Sequence, residues 1–186
     1  GDTLRIYSGT AFLGNASVKG RSWSFTPTSN LTTNRTHSFT ARVADAAGTL
    51  GRASNTRRLI LDSAAPTARS SITRISDNVG IVKGSLANNA RSDDRTPTLT
   101  GILLNGNLSS GDTLRIYSGA SFLGNASVKG RRWVFTPDSD LVTNRSHSFS
   151  ARVADAAGNL GTPSNTRQLI LDSAAPATRS VITDRK

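Results

Sequence analysis

The stretch "GDTLRIYSG" occupies residues 1–9, and the same nine residues return at 111–119. When residues 1–62 are aligned with residues 111–172, 13 positions differ and the other 49 are identical. Self-similarity over such a length is the signature of a tandem array, in which each repeat folds as one structural module. The first nine residues are therefore expected to lie inside a repeat.

The repeat period is 110 residues, which is close to the size of one β-sandwich domain. The match continues through "SAAPTARSSIT" at 63–73 and "SAAPATRSVIT" at 173–183. Because the chain begins with Gly1 and contains no Met, we interpret it as a window of a longer protein. The predicted organisation is the C-terminal part of one repeat at 1–62, a complete repeat at 63–172 and the start of a third at 173–186.

The repeat is predicted to consist of β-strands, because apolar and polar residues alternate over short runs. In "TLRIY" at 113–117, Leu114 and Ile116 share one face of the predicted strand. Alternation with a period of two is typical of strands with one buried face. Gly, Pro, Asn and Asp separate the runs, and no useful stretch has the period of a helix. The inward residues predicted in this way are Leu114, Ile116, Trp133, Phe135, His147, Phe149, Ala151, Val153, Leu169 and Leu171.

Two further runs, "TARSSITRI" at 67–75 and "TPTLTGIL" at 96–103, are predicted as the first two strands of the repeat. About seven strands per repeat fit two packed sheets, so the predicted fold class is all-β, with β-sandwich domains in tandem. Five of the positions that differ between the copies lie in predicted strands, and all five are on the predicted outward face. This is expected if the core lies on the other face. These pairs are 22/132, 24/134, 36/146, 40/150 and 58/168.

The charge of the chain is strongly basic. All 12 acidic residues are Asp, whereas Lys and Arg number 23, which gives a net charge of +11. Such a surface attracts polyanions such as acidic polysaccharide or nucleic acid. The bases are dispersed and are not interleaved with aromatic residues, so no specific nucleic-acid partner is predicted. Candidate polyanion contacts are Arg115, Arg131, Arg132, Arg145 and Arg152.

Several function classes are disfavoured by composition. Cys is absent, which removes disulfide frameworks, thiolate zinc sites and thiol catalysis. No apolar run is long enough to span a membrane. His37 and His147 begin inward-facing rows, with neither a Gly-framed serine nor any Glu in the chain, so we interpret both as packing residues. No enzyme activity is predicted, and Trp23 and Trp133 are predicted to anchor cores.

The strongest chemical candidate is an acidic group in the connection between the first two strands of the repeat. It contains Asp77, Asn78, Asp93 and Asp94, and Asp172 closes the last strand at the same predicted end of the sandwich. Asp62 holds the place of Asp172 in the preceding repeat. Carboxylate and amide oxygens from turns are Ca²⁺ ligands, but the same residue types also cap turns through their own backbone. Both interpretations remain open.

A second acidic position, Asp155 in "DAAGN" at 155–159, joins the last two strands of the repeat. Asp, Asn and Gly are the residues that tight turns favour, since their side chains bond turn amides or permit positive φ. We interpret Asp155 mainly as a turn residue. A role as a ligand at the joint between repeats is the alternative.

The order of motifs resembles the bacterial Ig-like repeats of giant surface adhesins. The resemblance rests on "ITRISDNVGIVKGSLANNARSDDRTPTLTG" at 72–101, "GDTLRIYSGASFLGN" at 111–125, "HSFSARVADAAGNLGTPSN" at 147–165 and "LILDSAAP" at 169–176. It implies Ig-like sandwiches in tandem that extend secreted cell-surface proteins in biofilm and attachment, with Ca²⁺ at the joints. The family's "DDVG" stands here as Asp77 to Gly80 with Asn at the second place, and this chain is basic where the family is acidic.

Two functions follow as hypotheses. In the first, the chain is a spacer of a secreted adhesin or extracellular filament, its partners are neighbouring repeats, and Ca²⁺ at Asp77, Asn78, Asp93, Asp94, Asp172 and Asp62 stiffens the joints. In the second, the basic outer face binds anionic glycan, lipopolysaccharide or extracellular DNA. Salt dependence separates them, because polyanion binding weakens steeply with ionic strength.

Overall fold

The computed structural model describes residues 1–81 and 83–174. The chain divides into two compact units, unit 1 at Gly1–Ala64 and unit 2 at Ala65–Lys186. The described residues form strands, turns and irregular segments, and they include no helix that could cross a membrane. The predicted start of a third repeat at 173–186 lies outside the described residues, apart from Ser173 and Ala174.

Unit 1 contains six strands in two sheets. A four-stranded antiparallel sheet has the order β2-β1-β5-β6, and β3 pairs with β4. The strands are β1 (Thr3–Ser8), β2 (Ala11–Asn15), β3 (Ser17–Lys19), β4 (Ser22–Ser24), β5 (Arg35–Ala44) and β6 (Arg57–Leu61).

Unit 2 is a sandwich of two five-stranded sheets, with the orders β13-β14-β10-β7-β8 and β12-β11-β15-β16-β9. This confirms the predicted all-β sandwich. Seven of its ten strands have four residues or more, and the three-residue strands lie at sheet edges. The strands are β7 (Ser70–Asp77), β8 (Gly84–Leu86), β9 (Ala90–Ser92), β10 (Thr98–Leu103), β11 (Thr113–Ser118), β12 (Ser121–Asn125), β13 (Ser127–Lys129), β14 (Arg132–Phe135), β15 (Arg145–Ala154) and β16 (Arg167–Leu171).

Strands β7 and β10 are neighbours in one sheet of unit 2, and the connection between them crosses to the other sheet and returns. Strand β8 turns back along β7, and β9 then joins the opposite sheet in parallel with β16. In that pairing Ser92 lies opposite Leu171, the last residue of β16. The connection is therefore held beside the end of the final strand, where the chain leaves the sandwich.

The core of unit 2 is built from the predicted inward residues. All ten of them are buried, and Ile75, Leu99 and Leu103 of the first two strands close the core from the other side. Full burial of one such aliphatic or aromatic side chain stabilises a fold by about 1.5–3 kcal/mol. The five strand positions that differ between the copies face outward or lie at partly exposed sites, as predicted.

The strand registers of unit 1 repeat those of unit 2. Ile6 pairs with Ala41 as Ile116 pairs with Ala151, and the same β-bulge follows each isoleucine. Nearly identical sequences thus give the same four-stranded sheet.

The prediction that both tryptophans anchor cores is wrong for Trp23. Trp133 is 3% exposed, whereas Trp23 is 52% exposed. In unit 2, β7 and β10 belong to the same sheet as Trp133, and their apolar side chains form part of the core in which Trp133 is buried. Residues 1–64, which are all described, contain no counterpart of these two strands.

Candidate functional site

The crossing connection of unit 2 is organised by two buried aspartates that both hydrogen-bond to one serine. Asp77 ends β7, and Asp94 follows β9. The hydroxyl of Ser92 donates a hydrogen bond to Asp77 Oδ2 at 2.5 Å and accepts one from the Asp94 N–H at 3.1 Å. The two ends of the connection are therefore tied together inside the sandwich.

The other carboxylate oxygens of this pair are bonded to backbone amides. Asp77 Oδ1 accepts from the Val79 N–H at 2.9 Å. Asp94 accepts from the Asn78 N–H at 3.1 Å and from the Thr96 N–H at 2.9 Å. Since buried polar groups are stable only when they are hydrogen-bonded, these bonds explain why two carboxylates are tolerated in the interior.

A cleft of about 350 Å³ lies beside the buried pair and is lined by Gly80, Arg91, Asp93 and Asp172, among others. The Asp93 carboxylate packs against the backbone of Gly80, whose φ is +63°, so a Cβ atom at position 80 would collide with it. Asp172 accepts a hydrogen bond from the Arg91 guanidinium at 2.7 Å. The cleft thus already contains a cation from the chain itself.

The chain leaves unit 1 through a segment that is bonded back to that unit. Asp62 accepts a hydrogen bond from the Ala64 N–H at 2.9 Å. Asn34 Oδ1 accepts from the Ser63 N–H at 2.9 Å and from the Ser63 hydroxyl at 3.3 Å. Asn34 has a φ of 59°, a left-handed conformation that Asn tolerates better than most residues.

Unit 2 has the same exit geometry. Asp172 accepts from the Ala174 N–H at 3.1 Å, and Asn144 Oδ1 accepts from the Ser173 N–H at 3.2 Å. Asn144 has a φ of 58°. We name this arrangement of Asp, Asn and the two following residues the exit clamp; it consists of Asn34, Asp62, Ser63 and Ala64 in unit 1, and of Asn144, Asp172, Ser173 and Ala174 in unit 2.

The residues predicted to bind Ca²⁺ are only partly brought together. Ser92 bonds the Asp77 carboxylate and the Asp94 N–H, and the Asp94 carboxylate accepts from the Asn78 N–H. Asp93 and Asp172 line the adjacent cleft, whereas Asp62 lies in unit 1. Across residues 1–81 and 83–174, no three His or acidic side chains form a group that could hold a metal ion. As placed, the donors serve the protein's own amides, hydroxyl and guanidinium. Calcium binding stays a prediction.

Asp155 has the turn contacts that its motif predicts. Its carboxylate accepts hydrogen bonds from the N–H groups of Ala157 and Asn159, at 2.9 and 2.8 Å. The Asn159 side-chain amide donates another at 2.9 Å. The Asn159 side-chain bond is the largest cause that lowers the pKa of Asp155 below its ordinary value of 3.8, and the turn amides add to it.

His37 and His147 are buried, as their packing role predicts. His147 stacks on Phe149 with a centroid distance of 6.0 Å. Its Nε2 lies 2.8 Å from the Val142 carbonyl oxygen, so this nitrogen carries the proton, and Nδ1 accepts from the Ser118 hydroxyl at 3.0 Å. His37 makes the equivalent bonds to Thr32 and Ser8.

Several of the arginines that were predicted to contact a polyanion make contacts within the protein itself. The Arg131 guanidinium donates to the Leu103 and Leu104 carbonyls, at 2.9 and 2.8 Å. Arg152 Nε donates to a backbone carbonyl at 3.0 Å, and the Arg115 guanidinium lies 5.8 Å from the ring centroid of Phe122. Arg132 is exposed on β14, and Arg145 lines a shallow pocket with Asp140.

Four residues that act at the exits of the two units were not predicted from the sequence: Ser92, Arg91 and the two clamp asparagines, Asn34 and Asn144. Ser92 and Arg91 act across the parallel pairing of β9 with β16, and a three-residue strand carries too little periodicity to predict its partner. The asparagines had a usable signal, because "TNR" precedes β5 and β15 in both copies, and Asn before a strand is a common left-handed turn residue.

The fold is similar to that of fibronectin-type modules. Solved structures of Clostridium thermocellum CbhA fibronectin(III)-like modules superpose with a TM-score of 0.51 at 11% identity, over 96% of this chain and 83% of that chain. A biofilm-associated protein BSP domain matches with a TM-score of 0.33 at 16% identity, over 94% of this chain and 25% of that chain. No protein-family model and no curated protein sequence matches the chain. The first likeness shows a fibronectin III-like β-sandwich.

Proposed function

We propose that this chain is a spacer segment of a bacterial surface adhesin or extracellular filament, exported to the cell surface, and that its contribution is length with restricted bending. The observation that carries the proposal is the exit clamp. In both copies, the two residues that follow the aspartate after the last strand, Ser63 and Ala64 or Ser173 and Ala174, are hydrogen-bonded to their own unit. A loose linker would not need such bonds.

The clamp leaves few free residues at the joint. Ser63 and Ala64 are bonded to unit 1, and Pro66 packs against Gly161 within unit 2. Proline fixes its own φ and also excludes the helical region for the residue before it, which is Ala65. The number of freely rotating backbone bonds between the two anchored segments is therefore small, and a short hinge transmits orientation from one repeat to the next.

The fold supports the same role. A fibronectin III-like sandwich buries its core within one repeat, so repeats can be added without redesigning a shared interior. The residues that build the core are the same in both copies, while the outward strand positions vary. A spacer requires no reaction at any of these sites.

The experiment compares two substitutions of the clamp asparagine. Asn34→Gly keeps the left-handed backbone but removes the acceptor for Ser63, whereas Asn34→Asp keeps the acceptor. We expect nuclear magnetic relaxation to give one common rotational correlation time for both units in the unchanged chain and in N34D, and shorter, separate times in N34G. Separate times already present in the unchanged chain would refute the proposal.

Polyanion binding is the second candidate function, and the net charge of +11 favours it. Most of the Lys and Arg side chains in the described part of the chain are exposed, so their positive charge is available to a polyanion. We expect retention on heparin at low salt, with affinity falling steeply as salt rises. Arg132→Ser, which introduces the residue found at position 22, should reduce retention. Failure of the unchanged chain to bind heparin at low salt would exclude this function.

A further inference from the structure

The outward side of the β11–β12 hairpin in unit 2 presents two aromatic rings. Leu114 and Ile116 are buried, so Tyr117 lies on the opposite, outward side of β11. Phe122 of the edge strand β12 pairs with Tyr117 and is 54% exposed. The two rings are tilted by 58°, with a centroid distance of 5.7 Å. An exposed ring that is held in place by a neighbouring ring is an apolar surface against which a ligand can pack.

Two arginines lie beside these rings on the same side of the sheet. Arg115 pairs with Arg152 across β11 and β15, and its guanidinium lies 5.8 Å from the ring centroid of Phe122. Arg152 Nε donates to the Gly161 carbonyl oxygen at 3.0 Å, which leaves the two terminal nitrogens of this guanidinium for other partners. Like charges directly opposite each other in neighbouring strands destabilise a sheet. An anion bound between the two guanidinium groups would remove this repulsion, so the arrangement favours a negatively charged ligand.

Small polar residues adjoin the rings and the arginines. Asn125 pairs with Arg115 from the edge strand, and Ser150 pairs with Tyr117 from β15. Both side chains supply hydrogen-bond donors and acceptors. We name this surface the outer patch; in unit 2 it consists of Arg115, Tyr117, Phe122, Asn125, Ser150 and Arg152. Since three strands contribute to it, the patch is formed by strand pairing and is not visible as a continuous motif in the sequence.

Unit 1 carries the same outer patch 110 residues earlier in the chain, with Thr40 in place of Ser150. Phe12 is 53% exposed, it pairs with Tyr7 at a centroid distance of 5.6 Å, and the Arg5 guanidinium lies 5.9 Å from its ring centroid. The patch lies on the outward side of the sheet, and it has the same form in the complete sandwich of unit 2. It is therefore a property of the repeat.

The outer patch fits an acidic sugar better than a nucleobase. A stacked base lies flat on an open aromatic face, whereas the two rings of the patch are steeply inclined to each other and Arg115 lies over Phe122. A pyranose ring is puckered and has an apolar C–H side that can pack against a single ring. Its hydroxyl groups can bond the Asn and Ser side chains, and the carboxylate of a uronic acid matches the planar fork of a guanidinium.

We propose that the outer patch of each unit is a binding site for a linear polysaccharide that contains uronic acid residues. A sugar ring packs against Tyr117 and Phe122, and its carboxylate binds between Arg115 and Arg152. This assignment rests on the polyanion-binding function proposed above, to which it adds a site and a class of ligand. Binding at such a site depends on aromatic contact and on guanidinium geometry, which attraction by net charge alone does not require.

The test titrates the full 186-residue chain with an oligogalacturonate of defined length, and separately with polyglutamate, which carries carboxylates but no sugar rings. We expect saturable binding of the oligogalacturonate by calorimetry, with amide shifts in nuclear magnetic resonance concentrated in β11, β12 and β15 and in their counterparts β1, β2 and β5. Polyglutamate should bind more weakly at equal carboxylate concentration. Equal binding of the two ligands would show that charge alone attracts them and would overturn the proposal.

The aromatic contact is tested by replacing both exposed phenylalanines. Phe12→Ala combined with Phe122→Ala should weaken oligogalacturonate binding about fivefold, because each site loses one aromatic contact. Both rings are more than half exposed, so the fold should tolerate the change. The matched control is Val134→Ser, which removes an apolar side chain that is 43% exposed on the other sheet and introduces the residue found at position 24. This control should leave binding unchanged.

The guanidinium contact is tested at constant net charge. Arg5→Lys combined with Arg115→Lys keeps both positive charges but removes the planar fork that binds a carboxylate through two hydrogen bonds. Oligogalacturonate binding should weaken, whereas polyglutamate binding should change little. Equal affinities of this variant and the unchanged chain for oligogalacturonate would contradict the assigned role of the arginines.

The outcomes separate this site from the function on which it rests. Failure of the unchanged chain to bind heparin at low salt would exclude polyanion binding as a whole. Heparin binding together with an oligogalacturonate affinity that ignores the Phe and Arg substitutions would overturn only the outer patch. Tighter binding of oligothymidylate than of oligogalacturonate, with the same loss in the Phe variant, would assign the patch to single-stranded nucleic acid instead.

Discussion

At the scale of single residues, the buried carboxylate of Asp94 shows how much of unit 2 depends on one side chain. It is fully buried, and it bonds the amides of Asn78 and Thr96, which lie on opposite sides of the crossing connection. Its exposed neighbour Asp93 rests on Gly80 and lines the cleft. The two adjacent residues Asp93 and Asp94 are therefore expected to contribute differently to the stability of unit 2.

Asp94→Ala is expected to lower the free energy of unfolding of unit 2 by about 3 kcal/mol, because each buried amide left without its acceptor costs about 1–3 kcal/mol. The control, Asp93→Ala, should change it by less than about 0.5 kcal/mol, as is usual for a surface substitution. Urea unfolding followed by Trp133 fluorescence in a Trp23→Phe background measures both. Similar losses for the two variants would contradict this assignment.

Asp155 carries a pH dependence with a defined sign. Its pKa is lowered, mainly by the Asn159 side chain, so the ionised form stabilises the folded turn. That contribution is present above the ordinary value of 3.8 and is lost as the pH falls through the lower folded value. In a carboxyl-carbon titration we expect the midpoint of Asp155 to lie below 3.8. Asn159→Thr, which introduces the residue found at position 49, should move this midpoint upward. An unmoved midpoint would mean that another contact lowers the pKa.

At the scale of elements, period-two alternation predicted the strands that form the two sheet interiors. The runs around Leu114, Trp133 and Phe149 became β11, β14 and β15 with the predicted faces buried. Strands β8, β9, β12 and β13 were not predicted. Three of them have only three residues, which are too few for a period, and β12 ends in Gly124 and Asn125, which are typical of turns. Trp23 was misjudged for a related reason: alternation identifies an inward face but not whether anything covers it.

The residues of the candidate calcium site could be predicted from the sequence, but their hydrogen-bond and ion-pair partners could not. The sequence places Asp77, Asp93 and Asp94 near Asp172, and β9 does pair beside the end of β16. It gives no indication that Ser92 would bond both the Asp77 carboxylate and the Asp94 N–H, or that Arg91 would pair with Asp172. Such long-range partners depend on the register of the crossing, which local patterns do not contain.

Arg91 provides the sharpest test of the calcium hypothesis. Its guanidinium lies 2.7 Å from an Asp172 oxygen, so a divalent cation in this cleft must displace it or share the carboxylate with it. We expect millimolar Ca²⁺ to raise the melting temperature, a chelator to reverse the effect, and Arg91→Ala to enlarge it, because the variant removes a competing positive charge. Asp172→Ala should abolish the shift. A melting temperature that ignores both Ca²⁺ and chelator would exclude the site.

At the scale of the whole molecule, two near-identical sheets are each followed by the same exit clamp. In the proposed spacer, the same clamp at each repeat would give every joint the same restraint, and such restraints would add up along an array. The basic surface is distributed over the repeats in the same periodic manner. If the proposed spacer function is correct, length and stiffness would both be set by the repeat number, and charge-based adhesion would grow with it as a secondary effect.

Small-angle X-ray scattering of chains with two, four and six repeats measures whether the joints between repeats restrict bending. If the clamped joints restrict bending, the radius of gyration rises in proportion to the repeat number. Freely jointed repeats would instead give a radius that grows with about the square root of that number. Proportional growth, converted to square-root growth by Gly at every position equivalent to Asn34, is the result expected here. Square-root growth of the unchanged chains would contradict the spacer function.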